Sequence, residues 1–193
     1  MTTPSSEPLS PQGRADQADN LLGALSSAIS DRVETAVSDA AGAAVNDATA
    51  LSALWHFLDD PRVDQLAQVL GLSSSGTVRL VDRLQRLGFV ERSAGTDARA
   101  TTVALTPAGR ARAEEISRAR TGVLERALAA LSPAQRGRFG EMAGTILVGI
   151  MRPPGPSGWM CRLCDTGRCG RPEGHCPVAN AASGAGSTGS LPR

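Results

Sequence analysis

The sequence contains no lysine. All 20 of its cations are arginines, a bias that GC-rich coding suffices to explain. The formal net charge is only +1, so there is no global polybasic character, and any affinity for nucleic acid has to come from local charge. No run of about eighteen apolar residues occurs, which excludes a membrane-spanning helix. The opening MTTPSSEPLSPQGRADQ has neither the basic start nor the apolar core of a secretory signal, so a cytoplasmic protein is expected. No cysteine precedes Cys161, and all four fall between Cys161 and Cys176. In a reducing compartment that clustering favours a metal or redox site over a disulfide framework. No nucleophile–base constellation is present, so an enzyme is not expected.

What is present points to a mainly α domain. The 193 residues allow one globular unit of about 130–150 residues plus tails. Residues 1–15, rich in Pro, Ser and Gln, read as a disordered lead. From Asp16, Leu22, Leu25, Ile29, Val33, Ala36 and Ala40 recur at helical spacing along one stripe to about residue 45. A second helix is expected over Ala48–Leu58, stopped by Asp59-Asp60-Pro61. A long helix starts at Thr106-Pro107 and runs to about Ala130. Ser132-Pro133-Ala134-Gln135 is a capping box. It opens a last helix, 132–151, with an apolar face of Phe139, Met142, Ala143, Ile146, Leu147 and Ile150. Residues 152–160 are a Pro/Gly spacer, 161–178 a Cys-rich segment, and 179–193 a low-complexity tail expected to be disordered.

Between these helices, residues 62–105 carry the chemistry. Asp64–Leu70 is a short helix, Gly71 permits a sharp turn, and Ser73 caps a second helix whose buried stripe is Thr77, Leu80, Val81, Leu84 and Leu87. Two helices across a tight glycine turn make a helix-turn-helix. Phe89–Arg92 and Thr101–Leu105 bracket the polar tip SAGTDARA as a hairpin, which makes the module a winged helix. The second helix would lie in the major groove of double-stranded DNA. Ser73, Ser74 and Ser75 can bond phosphates or bases, with Thr77 at the edge. Arg79 and Arg83 can reach phosphate or guanine, and Arg99 the minor groove. Asp97 is expected to pair with an arginine and shape the wing. Between Pro61 and Ala100 there are six Arg and four acids, a modest patch, so a protein-interaction or structural zinc protein that borrows the winged helix without reading DNA is the rival reading.

The run VDQLAQVLGLSSSGTVRLVDRLQRLGFVERSAGTDARATTVALTPAGRARAEE resembles the MarR (multiple antibiotic resistance regulator) family of transcriptional regulators. The features that carry this are LAQVLGLS, TVRLVDRLQRLGFVER, the D-x-R wing at Asp97–Arg99, and LTPAGR after the hairpin. With the flanking helices the resemblance covers roughly residues 16–151. It implies a homodimer formed through the terminal helices, acting mostly as a repressor on a palindromic operator with half-sites ~34 Å apart. It also implies relief by a small aromatic effector. Trp55 and His56 fall near where such a pocket would lie, although core packing is the plainer expectation for Trp55 and a satisfied polar contact for His56.

The tail pattern is Cys161-x2-Cys164-x4-Cys169-x6-Cys176. Four soft thiolates at this spacing can close a tetrahedron around zinc and loosely resemble a zinc knuckle. An iron–sulfur cluster and a thiol switch activated by Arg162, Arg168 and Arg171 are the alternatives.

Overall fold

The computed structural model describes residues 10–94, 101–151 and 158–185. Helix α1 (Pro11–Ala41) is followed by α2 (Val45–His56), α3 (Val63–Leu70) and α4 (Ser74–Arg86). Strands β1 (Val90–Ala94) and β2 (Thr101–Leu105) come next, then α5 (Pro107–Ala127), α6 (Pro133–Gly149), the single turn α7 (Gly158–Cys161) and α8 (Pro177–Ala185). The two strands pair antiparallel, with Val90 opposite Leu105 and Ala94 opposite Thr101. Val103 N–H donates to the Pro61 carbonyl at 3.0 Å, which seats the hairpin beside the start of α3. Among the described residues no helix is long and apolar enough to cross a membrane.

Two boundaries differ from the sequence reading. Helix α1 begins at Pro11, inside the stretch expected to be disordered, because Ser10 caps it by accepting from Gly13 N–H and Pro11 supplies a preset first-turn φ. Residues 179–185, expected to be disordered, continue α8, which packs on α6 with Pro177 against Gly144. Leu87 is half exposed rather than buried, because α4 ends at Arg86.

One core holds the winged helix together. Leu80, Val81 and Leu84 of α4 meet Leu51 and Leu54 of α2, Leu66 of α3, Val90, Val103 and Leu105 of the hairpin, and Ala113 and Ile116 of α5. Val33, Val37 and Ala41 of α1 close it from the other side. The N-terminal half of α1 does not share in this burial. Leu21, Leu22 and Leu25 stand exposed there, as do Met142, Ile146, Leu147, Val148 and Ile150 on α6.

The LTPAGR motif acquires a physical reason here. Thr106 Oγ1 donates to the Gly88 carbonyl at 2.6 Å and accepts from Gly109 N–H at 3.0 Å, capping α5. Gly109 lies so close to the end of α4 that a Cβ would sit 1.9 Å from the Phe89 carbonyl oxygen. The motif is a clamp between the hairpin, the end of α4 and α5.

Candidate nucleic-acid interface

The helix-turn-helix is set by local chemistry. Gly71 takes φ 66° at the end of α3, a left-handed conformation that costs glycine no Cβ clash. The chain reverses there, and Ser73 starts α4 by accepting from Gly76 N–H at 3.2 Å. Buried Leu80, Val81 and Leu84 fix the inner face, so the outer face is determined by the helical period. Exposed on it are Ser74, Ser75, Val78, Arg79, Asp82, Gln85 and Arg86.

The predicted contact residues divide into three groups. Ser74, Ser75 and Arg79 face outward, and Arg79 makes no ion pair among the described residues. Ser73 is exposed too, though its hydroxyl is already engaged as the cap. Thr77 and Arg83 are turned inward. Thr77 is fully buried, its hydroxyl donating to the Ser73 carbonyl at 3.1 Å, so it is a core residue and not a contact at the helix edge. Arg83 Nε lies 3.1 and 2.9 Å from the two carboxylate oxygens of Asp47, a side chain that is 1 % exposed. That hydrogen bonding raises the Arg83 pKa further, against the opposing effect of burial. Arg83 therefore positions α4 against α2 where a groove contact had been expected. Asp97 and Arg99 lie outside the described residues.

Asp47 and Val78 were missed from the sequence. Asp47 carries a usable signal: a single acid inside the apolar run AGAAVNDATALSAL, where an unpaired charge would be prohibitive. Val78, 42 % exposed on the reading face, offers an apolar surface of the kind that meets a thymine methyl. Behind this face Arg92 of β1 pairs with Asp82 at 2.7 Å and bonds Gln85 at 3.1 Å, tying the wing to the helix and neutralising its acid.

Trp55 and His56 end α2. Trp55 does not pack into the core; it is 38 % exposed, with its ring edge-on to His56 at 6.5 Å between centroids. His56 is the satisfied polar residue expected, Nε2 lying 3.2 Å from Ser117 Oγ. Burial lowers its pKa, with Asp165 acting in the opposite direction. The tail approaches this point, for Thr166 Oγ1 donates to the His56 carbonyl at 2.9 Å. A groove of about 210 Å³ beside it is lined by Arg120, Thr121, Leu124, Cys164, Asp165, Arg168 and Cys169.

The four cysteines are free thiols packed in one small cluster. Cys161 and Cys176 are buried with Val178, and Cys164, Cys169, Phe57, Met151 and Met160 pack around them. Cys161 donates to Cys164, which together with nearby Arg120 and Arg171 brings the Cys164 thiol down to about 6 against the effect of burial. The same bond and burial push Cys161 up, and burial pushes Cys169 up. Among the described residues no group of three or more His, Cys, Asp or Glu side chains is placed so as to hold a metal ion.

Residues 44–100 match the model of the MarR family. No curated protein sequence matches the chain significantly. Among solved structures, the YusO protein from Bacillus subtilis is 19% identical, with 72% of this chain and 97% of that chain covered at a TM-score of 0.62. A mutant of Staphylococcus aureus MepR bound to an oligodeoxyribonucleotide is 15% identical, covering 69% of this chain and 98% of that one at a TM-score of 0.52. CouR from Rhodococcus jostii RHA1 bound to p-coumaroyl-CoA is 21% identical, covering 68% and 92% at a TM-score of 0.54. The matched segment spans α2, the helix-turn-helix and the first strand of the hairpin, so this part of the chain is similar to the MarR family and the chain has the winged helix-turn-helix fold of these structures.

Proposed function

We propose that the chain is a DNA-binding transcriptional regulator that acts as a homodimer on a palindromic operator, with repression as its mode. The observation that carries this reading is the outer face of α4, where Ser74, Ser75, Val78, Arg79 and Arg86 stand exposed on a helix whose other side is locked into the core. Hydroxyls, one apolar side chain and guanidinium groups are the chemistry that reads phosphates and base edges. That MepR has been crystallised with an oligodeoxyribonucleotide supports the same use of the fold.

Dimerisation is supported by the unburied apolar surface. Leu21, Leu22 and Leu25 on α1 and Met142, Ile146 and Ile150 on α6 are each more than 40 % exposed. Contiguous surfaces of this kind mark interaction sites. Leu25 also lines a groove of about 780 Å³ between α1 and α5, with Ile29, Ala36 and Val123 among its other apolar walls. A second copy's terminal helix is the natural occupant. The reader's charge is too modest to hold DNA well alone, and two copies double every phosphate contact. A small-molecule effector is supported by CouR's complex with p-coumaroyl-CoA and by the exposed Trp55 near the tail.

Selection of bound duplexes from random DNA should return an inverted repeat. Arg79→Ala should then weaken binding to it by about 10- to 100-fold, the worth of a good guanidinium–base contact, with the unfolding midpoint unchanged. Affinity should fall steeply with salt as phosphate contacts release counterions. No sequence-selective retention, or salt-insensitive binding, would favour the protein-interaction reading. A separate variant, Leu22→Glu with Ile146→Glu, is expected to shift the protein from dimer to monomer in analytical ultracentrifugation. Dimers surviving both charges would place the interface elsewhere.

A further inference from the structure

We infer that Cys161, Cys164, Cys169 and Cys176 together form a zinc site that holds the C-terminal segment onto the winged-helix body. The first support is convergence. The chain folds back between Cys161 and Cys176 so that all four thiols join one cluster, two of them buried. They fall into two pairs, Cys161 against Cys164 and Cys169 against Cys176. A C-x-x-C turn closed by Cys164 N–H donating to the Cys161 carbonyl at 2.7 Å presents one pair. The other pair is brought together by the bond from His175 N–H to the Gly170 carbonyl at 2.8 Å.

The second support is what the segment lacks. Apart from α7 and α8, which pack on the body, the loop between them has no buried side chain of its own besides Cys176 at its end, too little apolar burial to order it alone. Small segments of this kind commonly take their order from a bound metal.

Charge is the third support. Four thiolates alone would place −4 in a largely apolar cluster; a dication reduces that to −2. Arg120 and Arg171 lie near Cys164, and Arg171 near Cys161, with the Asp165 carboxylate opposing them, so the surrounding cations offset part of the remainder. Thiolate is the soft ligand that Zn²⁺ takes in closed tetrahedral sites. Binding of the ion would draw the two pairs together, since metal binding and ordering of such sites are coupled.

The test is the metal content of the full chain, expressed without an affinity tag in medium containing both zinc and iron and purified anaerobically. One zinc per chain is expected by elemental analysis, released stoichiometrically when the thiols are titrated with a mercurial. Replacement by Co²⁺ should give thiolate-to-cobalt charge-transfer absorption and the d–d bands of a tetrahedral ion. Cys164→Ser with Cys176→Ser should abolish both signals. Its winged helix, whose core includes none of the cysteines, should keep its thermal unfolding transition. Metal-free protein with four titratable thiols, a disulfide, or zinc retained by the double variant would each overturn the site. Iron with acid-labile sulfide in place of zinc would overturn the assignment of the ion.

Discussion

Replacing Arg83 with alanine is expected to destabilise the domain by about 3 kcal/mol, more than any other substitution on α4's polar side. The reason is the asymmetry of its partner. Asp47 is 1 % exposed, whereas the Arg83 side chain is 41 % exposed. Removing the arginine leaves a carboxylate buried with no compensating charge, which costs about 3–5 kcal/mol when a buried pair is broken. The lower end applies because half of the pair reaches water. Asp47→Ala should cost markedly less, since the freed guanidinium can turn outward into solvent. Replacing both, as Asp47→Ala with Arg83→Leu, should recover most of the loss. Urea midpoints of the three variants measure this directly; equal losses for the two single substitutions would contradict it. The same series separates Arg83 from Arg79. Loss of DNA binding in Arg83→Ala should follow its loss of stability, while Arg79→Ala should lose binding alone.

Gly109→Ala is the second large effect. In an ordinary helix interior this change stabilises by about 1 kcal/mol, because alanine restricts the unfolded chain and suits the helix. At Gly109 the new Cβ would lie 1.9 Å from the Phe89 carbonyl oxygen and 2.9 Å from its carbon. Both are backbone atoms, so no rotamer change relieves the clash. Helix α5 must move off the wing, stretching the bonds from Thr106 N–H to Phe89 and from Thr106 Oγ1 to Gly88. A net loss of about 2–3 kcal/mol is expected, in the range of overpacking penalties. Gly137→Ala is the matched control, for nothing stands within 4 Å of its Cβ position on α6. It should raise the melting temperature slightly. A neutral or stabilising result at Gly109 would mean that the wing and α5 are not clamped together.

Much of this architecture was legible because local signals and burial pattern agreed. Gly71, Ser73, Thr106-Pro107 and Ser132 each mark a helix end by a hydrogen bond the structure contains. The apolar stripe of α4 likewise fixed which side faced outward. The departures share a cause: they depend on groups distant in the chain. Arg83 looked like a groove contact because its spacing from Arg79 is visible, while Asp47, thirty-six positions away, is not. Thr77 looked available because threonine is polar, yet its hydroxyl finds the Ser73 carbonyl and its methyl the core. Trp55 was expected to pack inside because it is large and apolar, but the end of α2 leaves it at the surface. The helical stretch after Ala179 was hidden by low-complexity composition, because its order comes from packing on α6.

The position of Asp47 has a mechanical side. Helix α2 is gripped near its first turn by Arg83 of the reading helix and at its last residue by Thr166 of the tail. The two grips are nine helical steps apart, about 14 Å of rod at the usual helical rise. The middle of that rod is packed between α1 and α5, so the tail's hold on His56 and the reading helix's hold on Asp47 bear on opposite ends of one rigid element.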